Sequence, residues 1–519
     1  MKPVFERHLT ALQEGGLPYL KQIGRGIEKE GLRTDLKGRI AQTDHPTALG
    51  HALTHPSITT DYAESLLELI TPVCHSTEAV ITELTRIHQY VQAHLGNELM
   101  WAGSMPCELE GEASIVIAKY GDSNLGKLKT VYREGLGVRY GRIMQSIAGM
   151  HYNFSLPDAF WEYWKNVQRS QKSLKDFKSE QYFALIRNFR RYSWLPMYLF
   201  GASPAVDHSF LTPQMRAAHP DLKPINQRTF LLPGATSLRM GDMGYHNNAQ
   251  SDLSICFNKL ENFIATLYMA IHTPYPAYEA IGTQRDGKYI QLNTNILQIE
   301  NEYYSSIRPK RPTHAGEKPI QALSDRGVEY VEVRCLDLNP YSPVGTTLDA
   351  LKFMDVFLLT CLFKDSPWID DQECSGVDIN FNRTVRTGRT PGMTLTTPDG
   401  ERTLTEVATE LMAELRQVAQ LMGDPSYLAA LETQQGKIHD ASLTPSARME
   451  KTIREDGIDY LDLVTQLSKE HQQTLQRPTL TEAEQARFAT ERDDSLATEQ
   501  SLRQGDTLEF SEYLTQYLS

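Results

Sequence analysis

Two short stretches constrain this chain more than any other feature. Residues 326–334 read RGVEYVEVR and residues 26–33 read GIEKEGLR. In a strand, residues i and i+2 share a face. The first stretch then places Tyr330, Glu332 and Arg334 on one side, with Val331 and Val333 on the other. The second sets Glu28 beside Glu30, with Ile27 and Lys29 opposite. A single E-x-E pair is ordinary on an exposed sheet, where cross-strand ion pairs satisfy it. Two such strands point to a cation between carboxylates, because neighbouring glutamates repel and hard divalent ions take oxygen ligands.

Two further stretches extend the pattern. In SITTDYAESLLELITPV the acidic residues Asp61, Glu64 and Glu68 recur at helical spacing, which predicts a helix with Ala63, Leu66, Leu67 and Ile70 turned inward. Asp61 and Glu64 also fit a capping box, which would satisfy both side chains locally. Glu68 has no such explanation. It stands in an apolar run, where an unpaired carboxylate is costly to bury. In GMHYNFSLP, His151 and Asn153 share a strand face, and a histidine near several carboxylates is a candidate metal ligand or charge partner.

The remaining signals bound the class. At 519 residues the chain can hold roughly two to four domains. A net charge of −13 argues against nucleic acid as a partner, since neutralising phosphates needs a basic face. The cysteines at 74, 107, 256, 335, 361 and 374 lie far apart, which suits reduced thiols in the cytoplasm. The N-terminus lacks an apolar signal core, and the longest apolar stretch, 194–206, is too short to span a bilayer, so no membrane is expected.

Strand-like alternation appears over 21–34, 151–156, 289–304 and 328–338, with helical patterns over 77–95, 157–189, 252–271 and 346–364. Strands so far apart, separated by long helical insertions, predict an α+β fold rather than a regular βαβ array. Residues 401–519 read as a helical extension packed on a catalytic body of residues 1–400; within it, 480–502 is polar nearly all round and is expected to attach loosely. The stretch GDSNLGKL at 121–128 nearly fits a phosphate-binding loop, but Leu128 stands where a magnesium-binding hydroxyl belongs and no strand pattern precedes it, so it reads as a chance match.

The segments GIEKEGLR, HALTHPSITTDYAESLLELITPV, KTVYREGLGVRYG, GMHYNFSLP, YLFGASPA, ATSLRMGDMGY, LQIENEYYSSIRPKR and GVEYVEVRCLDLNPYSP run in order from about residue 20 to 345. Together they resemble the glutamate–cysteine ligases of proteobacterial type. The resemblance implies ATP-dependent joining of the γ-carboxyl of L-glutamate to the amino group of L-cysteine through a γ-glutamyl phosphate, the first step of glutathione synthesis. It also implies a glutamine-synthetase-like antiparallel sheet curved into a funnel, ringed by helices, with Mg²⁺ on its inner face and Mn²⁺ able to substitute. Carried over by residue, Glu28, Asp61 and Glu68 resemble one group of metal ligands, and Glu30, His151 and Glu332 another. Glu64 carries over weakly, since a cap accounts for it. Arg334 would face the γ-phosphoryl group, Arg239 would anchor a substrate carboxylate, and Tyr245 and Tyr304 would line the cysteine site. The expected partners are these small molecules, and a monomer is expected. Two alternatives stand beside this one: a ligase of the same fold that uses a different amine, and a non-enzymatic relative that senses a metabolite or binds partners through its tail.

Overall fold

The alternation in GRGIEKEGLRT forms the central strand of the molecule. The structure, a computed structural model, describes residues 3–244, 253, 255, 257–314, 316–477 and 479–519. Its principal sheet has seven strands: β1 (Gly24–Thr34), β2 (Ile58–Thr60), β3 (Leu66–Ile70), β4 (Leu99–Met100), β5 (Met150–Ser155), β6 (Ile307–Lys310) and β7 (Tyr330–Leu336). They run in the order β6–β7–β5–β1–β3–β2, with β4 added to the end of β1, and every pairing is antiparallel. Mixed helices and an antiparallel sheet make the chain α+β.

One face of this sheet is mostly apolar, with Arg25 and Lys29 buried among its apolar residues. Ile27, Leu67, Leu69, Tyr152, Phe154, Val331 and Val333 are all fully buried, and the helix Leu348–Phe363, buried from Leu351 onward, belongs to the same core. At about 25 cal/mol per Å² of apolar surface, this burial is the main term holding the sheet in place. The entry to β7 needs a glycine. Gly327 ends the helix Pro319–Arg326 at φ 70°, and a Cβ there would lie 2.5 Å from Ser179 Oγ. Farther along β7 its register with β5 shifts between Val333 and Leu336, so that Arg334 and Cys335 together stand against His151.

Several expected elements change. Residues 57–73 do not form a helix; they form β2, a turn and β3. Leu66, Leu67 and Leu69 are buried on both sides of β3, an apolar run that helical spacing also fits. Asp61 is therefore no helix cap, and Glu64 is a buried turn residue whose carboxylate accepts from the backbone N–H of His45 (2.9 Å) and Lys119 (2.8 Å). Residues 289–304 are mostly loop. There Asn293 Oδ1 accepts from Asn295 N and Gln298 Oε1 from Leu292 N, local bonds that replace a ladder. The helix expected over 157–189 is two, Asp158–Val167 and Leu174–Tyr192, parted at Arg169, whose φ is 52°. The expected helix over 252–271 is seen as Leu260–His272, part of the stretch before it lying outside the described residues.

Beyond residue 404 the chain is helical through Phe510–Leu518, and a hairpin of Thr394–Thr397 with Gly400–Thr403 bridges the junction. The polar helix Glu482–Gly505 is firmly seated: Phe488 is fully buried and stacks 4.6 Å from the ring of Tyr90. Among the described residues, no helix is long and apolar enough to cross a membrane.

Candidate active site

Strand register alone gathers the charged groups on the other face of the sheet. His151 on β5 stands opposite Glu28, and Glu68 on β3 opposite Glu30. Glu332 on β7 faces Asn153 on one side and Arg308 on the other. Two glutamates directly across a strand pair repel each other unless something positive lies between them.

The side chains converge. His151 Nδ1 is 3.2 Å from Glu28 Oε2 and 3.8 Å from Glu332 Oε1, while Nε2 is 3.5 Å from Glu30 Oε1. Asn153 Nδ2 donates to Glu28 Oε1 at 2.8 Å. Arg334 Nη1 donates to Glu332 Oε2 at 3.0 Å, and Lys310 Nζ lies 3.2 Å from Glu332 Oε1. One ligand atom from each of Glu28, His151 and Glu332 falls within a 4.8 Å sphere of mutual distances. The structure thus groups Glu28 with His151 and Glu332, and His151 reaches Glu30 with its other nitrogen. Asp61 joins from the turn after β2, on the wall of a cavity of about 310 Å³ shared with Glu30, Tyr132, Arg133, Tyr304 and Arg334.

The charges do not balance. Burial raises the Glu68 carboxyl well above its ordinary range, and the charges of Glu28, Asp61 and Glu30 raise it further. Burial, with Asp61, also raises Glu30. Glu332 goes the other way: burial opposes its charge, but Lys310 and Arg334 hold it well below the usual carboxylate range. Arg308, buried beside Arg334, is pushed down to about 10. Arg308 Nε and Arg334 Nε are both buried without a hydrogen-bond partner. Crowded carboxylates thus lie next to two arginines that each keep a buried Nε donor free. That donor set fits a hard cation on the acidic side and an anion on the basic side.

Arg239 lies just behind this wall. It is buried and donates to Arg334 O at 2.9 Å and Leu336 O at 3.2 Å, so it braces the bulged part of β7. A Cβ on Gly149 would fall 1.9 Å from Arg239 Nη2, so this approach requires glycine. The Arg239 charge still bears on Glu30 and Tyr304. Tyr304 lines the cavity, its hydroxyl 3.0 Å from Met240 Sδ. Tyr245 lies outside the described residues.

Several site residues carry no signal that strand alternation had captured. Arg308 and Lys310 sit at i and i+2 of SIRPKRP, the same pattern that marks Glu332 and Arg334. They line a second cavity, of about 270 Å³, with Phe263, Leu267, Ile320 and Tyr330. Arg308 and Tyr303 belong to both cavities. Tyr132 and Arg133 come from the helix Asn124–Tyr140 and stand in KTVYREGLGVRYG without a role that spacing could give them.

Comparison with known proteins is consistent across sequence and structure. Residues 9–384 match the family model described as glutamate–cysteine ligase. The chain is 53% identical over 509 residues to the glutamate–cysteine ligase of Hahella chejuensis, covering 96% of each chain. It is 48% identical to that of Pseudomonas aeruginosa over all of this chain and 98% of the other. Among solved structures it superposes on a crystal structure of glutamate–cysteine ligase from Francisella tularensis in complex with AMP, with a TM-score of 0.90, 36% identity and coverage of 96% of this chain and 97% of that one. It also matches a bifunctional glutathione synthetase from Pasteurella multocida, with a TM-score of 0.73 and 26% identity, over 95% of this chain but only 58% of that one.

Proposed function

The chain belongs to the glutamate–cysteine ligase family, and we propose that its charged sheet face uses ATP to join the γ-carboxyl of L-glutamate to the amino group of L-cysteine. The products are γ-glutamylcysteine, ADP and phosphate, in the first step of glutathione biosynthesis. The observation that carries this reading is the unbalanced cluster of Glu28, Glu30, Glu68, His151 and Glu332 on one face, with Arg334 at its edge.

A carboxylate does not acylate an amine in neutral water, because its oxygen is a poor leaving group. In the scheme we infer, the γ-carboxylate oxygen attacks the γ-phosphorus of ATP and the bond to ADP breaks. The cysteine nitrogen then attacks the acyl carbon, phosphate departs, and the nitrogen gives up a proton. Phosphoryl transfer asks mainly for positioning and charge neutralisation. Arg334, which donates to Glu332, would donate to the moving phosphoryl oxygens. Glu28, Asp61, Glu68, Glu30, His151 and Glu332 would hold Mg²⁺, with Mn²⁺ as substitute, and the bound metal would neutralise phosphate charge.

The two cavities then divide the substrates. The cavity walled by Tyr132, Arg133, Tyr304 and Arg334 suits two amino acids, with the Arg239 charge bearing on it through Glu30, and the family resemblance would add Tyr245 to the cysteine contacts. The cavity of Phe263, Leu267, Ile320 and Tyr330 suits a base, and Lys310 and Arg308 form a basic track from it to the acidic cluster. We read the sheet as the curved funnel of the glutamine-synthetase type; the acidic cluster on one face and the register shift in β7 beside it support that reading. We also read residues 1–400 as the catalytic body and 401–519 as its helical extension, in a cytoplasmic monomer.

The test is ADP release with the product identified by mass. Release should require both L-glutamate and L-cysteine and yield the mass of γ-glutamylcysteine. Equal turnover with ammonia in place of cysteine would assign the chain a different amine.

A further inference from the structure

The last residues of the chain reach the wall of the amino-acid cavity from outside. The helix Phe510–Leu518 packs on the helix Asn124–Tyr140 and on the loop that follows Tyr289. Leu514 is buried there with Leu128 and Leu292, and Tyr289 meets Phe510 edge-on at 5.4 Å. This apolar cluster is separate from the main core. Tyr132 belongs to it and also lines the cavity, beside Arg133.

A second contact pins the start of the same helix. Asp506 Oδ2 accepts from Asn124 N at 2.6 Å, and Asn124 Nδ2 donates to Leu508 O at 2.9 Å. This is where GDSNLGKL resembles a phosphate-binding loop. Ser123 Oγ caps Gly126 N, and the anion at the helix N-terminus is the chain's own carboxylate, which the helix dipole favours. No strand precedes it; an isolated bridge of Ala63 with Ile117 is the nearest pairing.

One helix therefore has its outer side fixed by residues 506–518 and its inner side exposed to the cavity. Arg133 Nε donates to the backbone carbonyl of Asp61, so the helix also touches the turn that carries an acidic site residue. We propose that Asp506 and the helix Phe510–Leu518 form a brace that fixes Tyr132 and Arg133 in the wall of the amino-acid cavity. They are then positioning residues for the amino-acid substrates, an assignment that rests on the division of cavities proposed above. The nucleotide cavity shares no residue with this cluster.

The test uses full-length protein carrying Leu514→Asp, which dislodges the helix, Asp506→Ala, which removes the anchor, and Leu514→Met as the conservative control. Hydrogen exchange of the Asn124–Tyr140 amides should speed up about tenfold or more in the first two variants while β1 and β5 keep their protection. KM for glutamate or cysteine should rise about tenfold, with KM for ATP within about twofold of the parent. Leu514→Met should behave as the parent. Unchanged exchange in that helix, in both disruptive variants, would overturn the brace. Equal rises in all three KM values would overturn its specificity for the amino-acid wall. If Leu514→Asp fails to fold, Asp506→Ala decides alone. The exchange measurement needs no turnover, so a brace that holds in a protein with no ligase activity would locate the failure in the functional reading instead.

Discussion

Two ionic clusters sit on opposite faces of the principal sheet, and they differ in how their charges are paired. On the core side, Arg25 Nε lies 3.0 and 2.8 Å from the two oxygens of Asp355, and Arg25 Nη2 is 2.7 Å from Oδ2. Tyr152 donates to Asp355 Oδ1 at 2.6 Å and Tyr427 to Oδ2 at 2.9 Å. One charge meets one charge, and the carboxylate has its hydrogen bonds filled. On the open side, Glu28, Glu30, Asp61, Glu68 and Glu332 crowd around His151, Lys310 and Arg334, and the Nε donors of Arg308 and Arg334 have no hydrogen-bond partner. The first cluster is complete and ties the sheet to two helices. The second is complete only with ligands. The core-side pair is the more deeply buried, with Arg25 and Asp355 nearly inaccessible while Lys310 and Arg334 keep part of their side chains exposed, and its balance of charge marks it as structural.

The sharpest way to break this comparison is to unbalance the structural cluster. Asp355→Ala leaves Arg25 buried and uncompensated, and should cost about 3–5 kcal/mol of stability, read by denaturant unfolding. A loss under about 1 kcal/mol would mean that the core-side pair is not structural. Arg334→Lys does the opposite. It should leave the melting temperature unchanged and lower kcat about tenfold to a thousandfold, because lysine lacks the planar fork that meets phosphoryl oxygens. A kcat equal to the parent's would reduce Arg334 to a partner of Glu332.

The smallest effect concerns Glu68 in metal-free protein. Its folded-state pKa lies above the ordinary 4.5, raised by burial and by Glu28, Asp61 and Glu30. Above pH 4.5 the unfolded chain therefore binds fewer protons at this residue than the folded chain, so stability falls as pH rises. Glu68→Gln should remove that slope. The variant should melt above the parent, by a margin that widens from acid toward neutral pH. Adding Mg²⁺ should close the gap by stabilising the parent, as thermal melts across pH would show. A margin that is flat with pH would mean that Glu68 is already relieved by other groups.

How much of this could be read in the sequence follows the same division. β1, β5 and β7 are legible because core and polar residues alternate along them: Ile27 with Glu28 and Glu30, Tyr152 and Phe154 with His151 and Asn153, Val331 and Val333 with Glu332 and Arg334. β3 is not, because Leu66, Leu67 and Leu69 bury both of its faces, which erases the two-residue period. Glu64 looks like its acidic neighbours in sequence, yet its carboxylate is filled by backbone N–H groups, a pairing visible only once residues 45 and 119 are brought near it. Arg308 and Lys310 carry the right spacing but lie in a four-residue strand interrupted by Pro309. The role of residues 506–518 depends on a contact across nearly four hundred positions, which no local pattern encodes.

The central claim is that the open face transfers a phosphoryl group to glutamate before the amine attacks. ATP carrying heavy oxygen in its β,γ-bridge tests it directly. With glutamate and Mg²⁺ present and cysteine absent, reversible transfer should move the label into the β non-bridging positions as bound ADP rotates its β-phosphate. Scrambling should require glutamate, and should be lost in Glu332→Gln protein that calorimetry shows still binds ATP. Scrambling without glutamate, or undiminished scrambling in Glu332→Gln, would contradict the account.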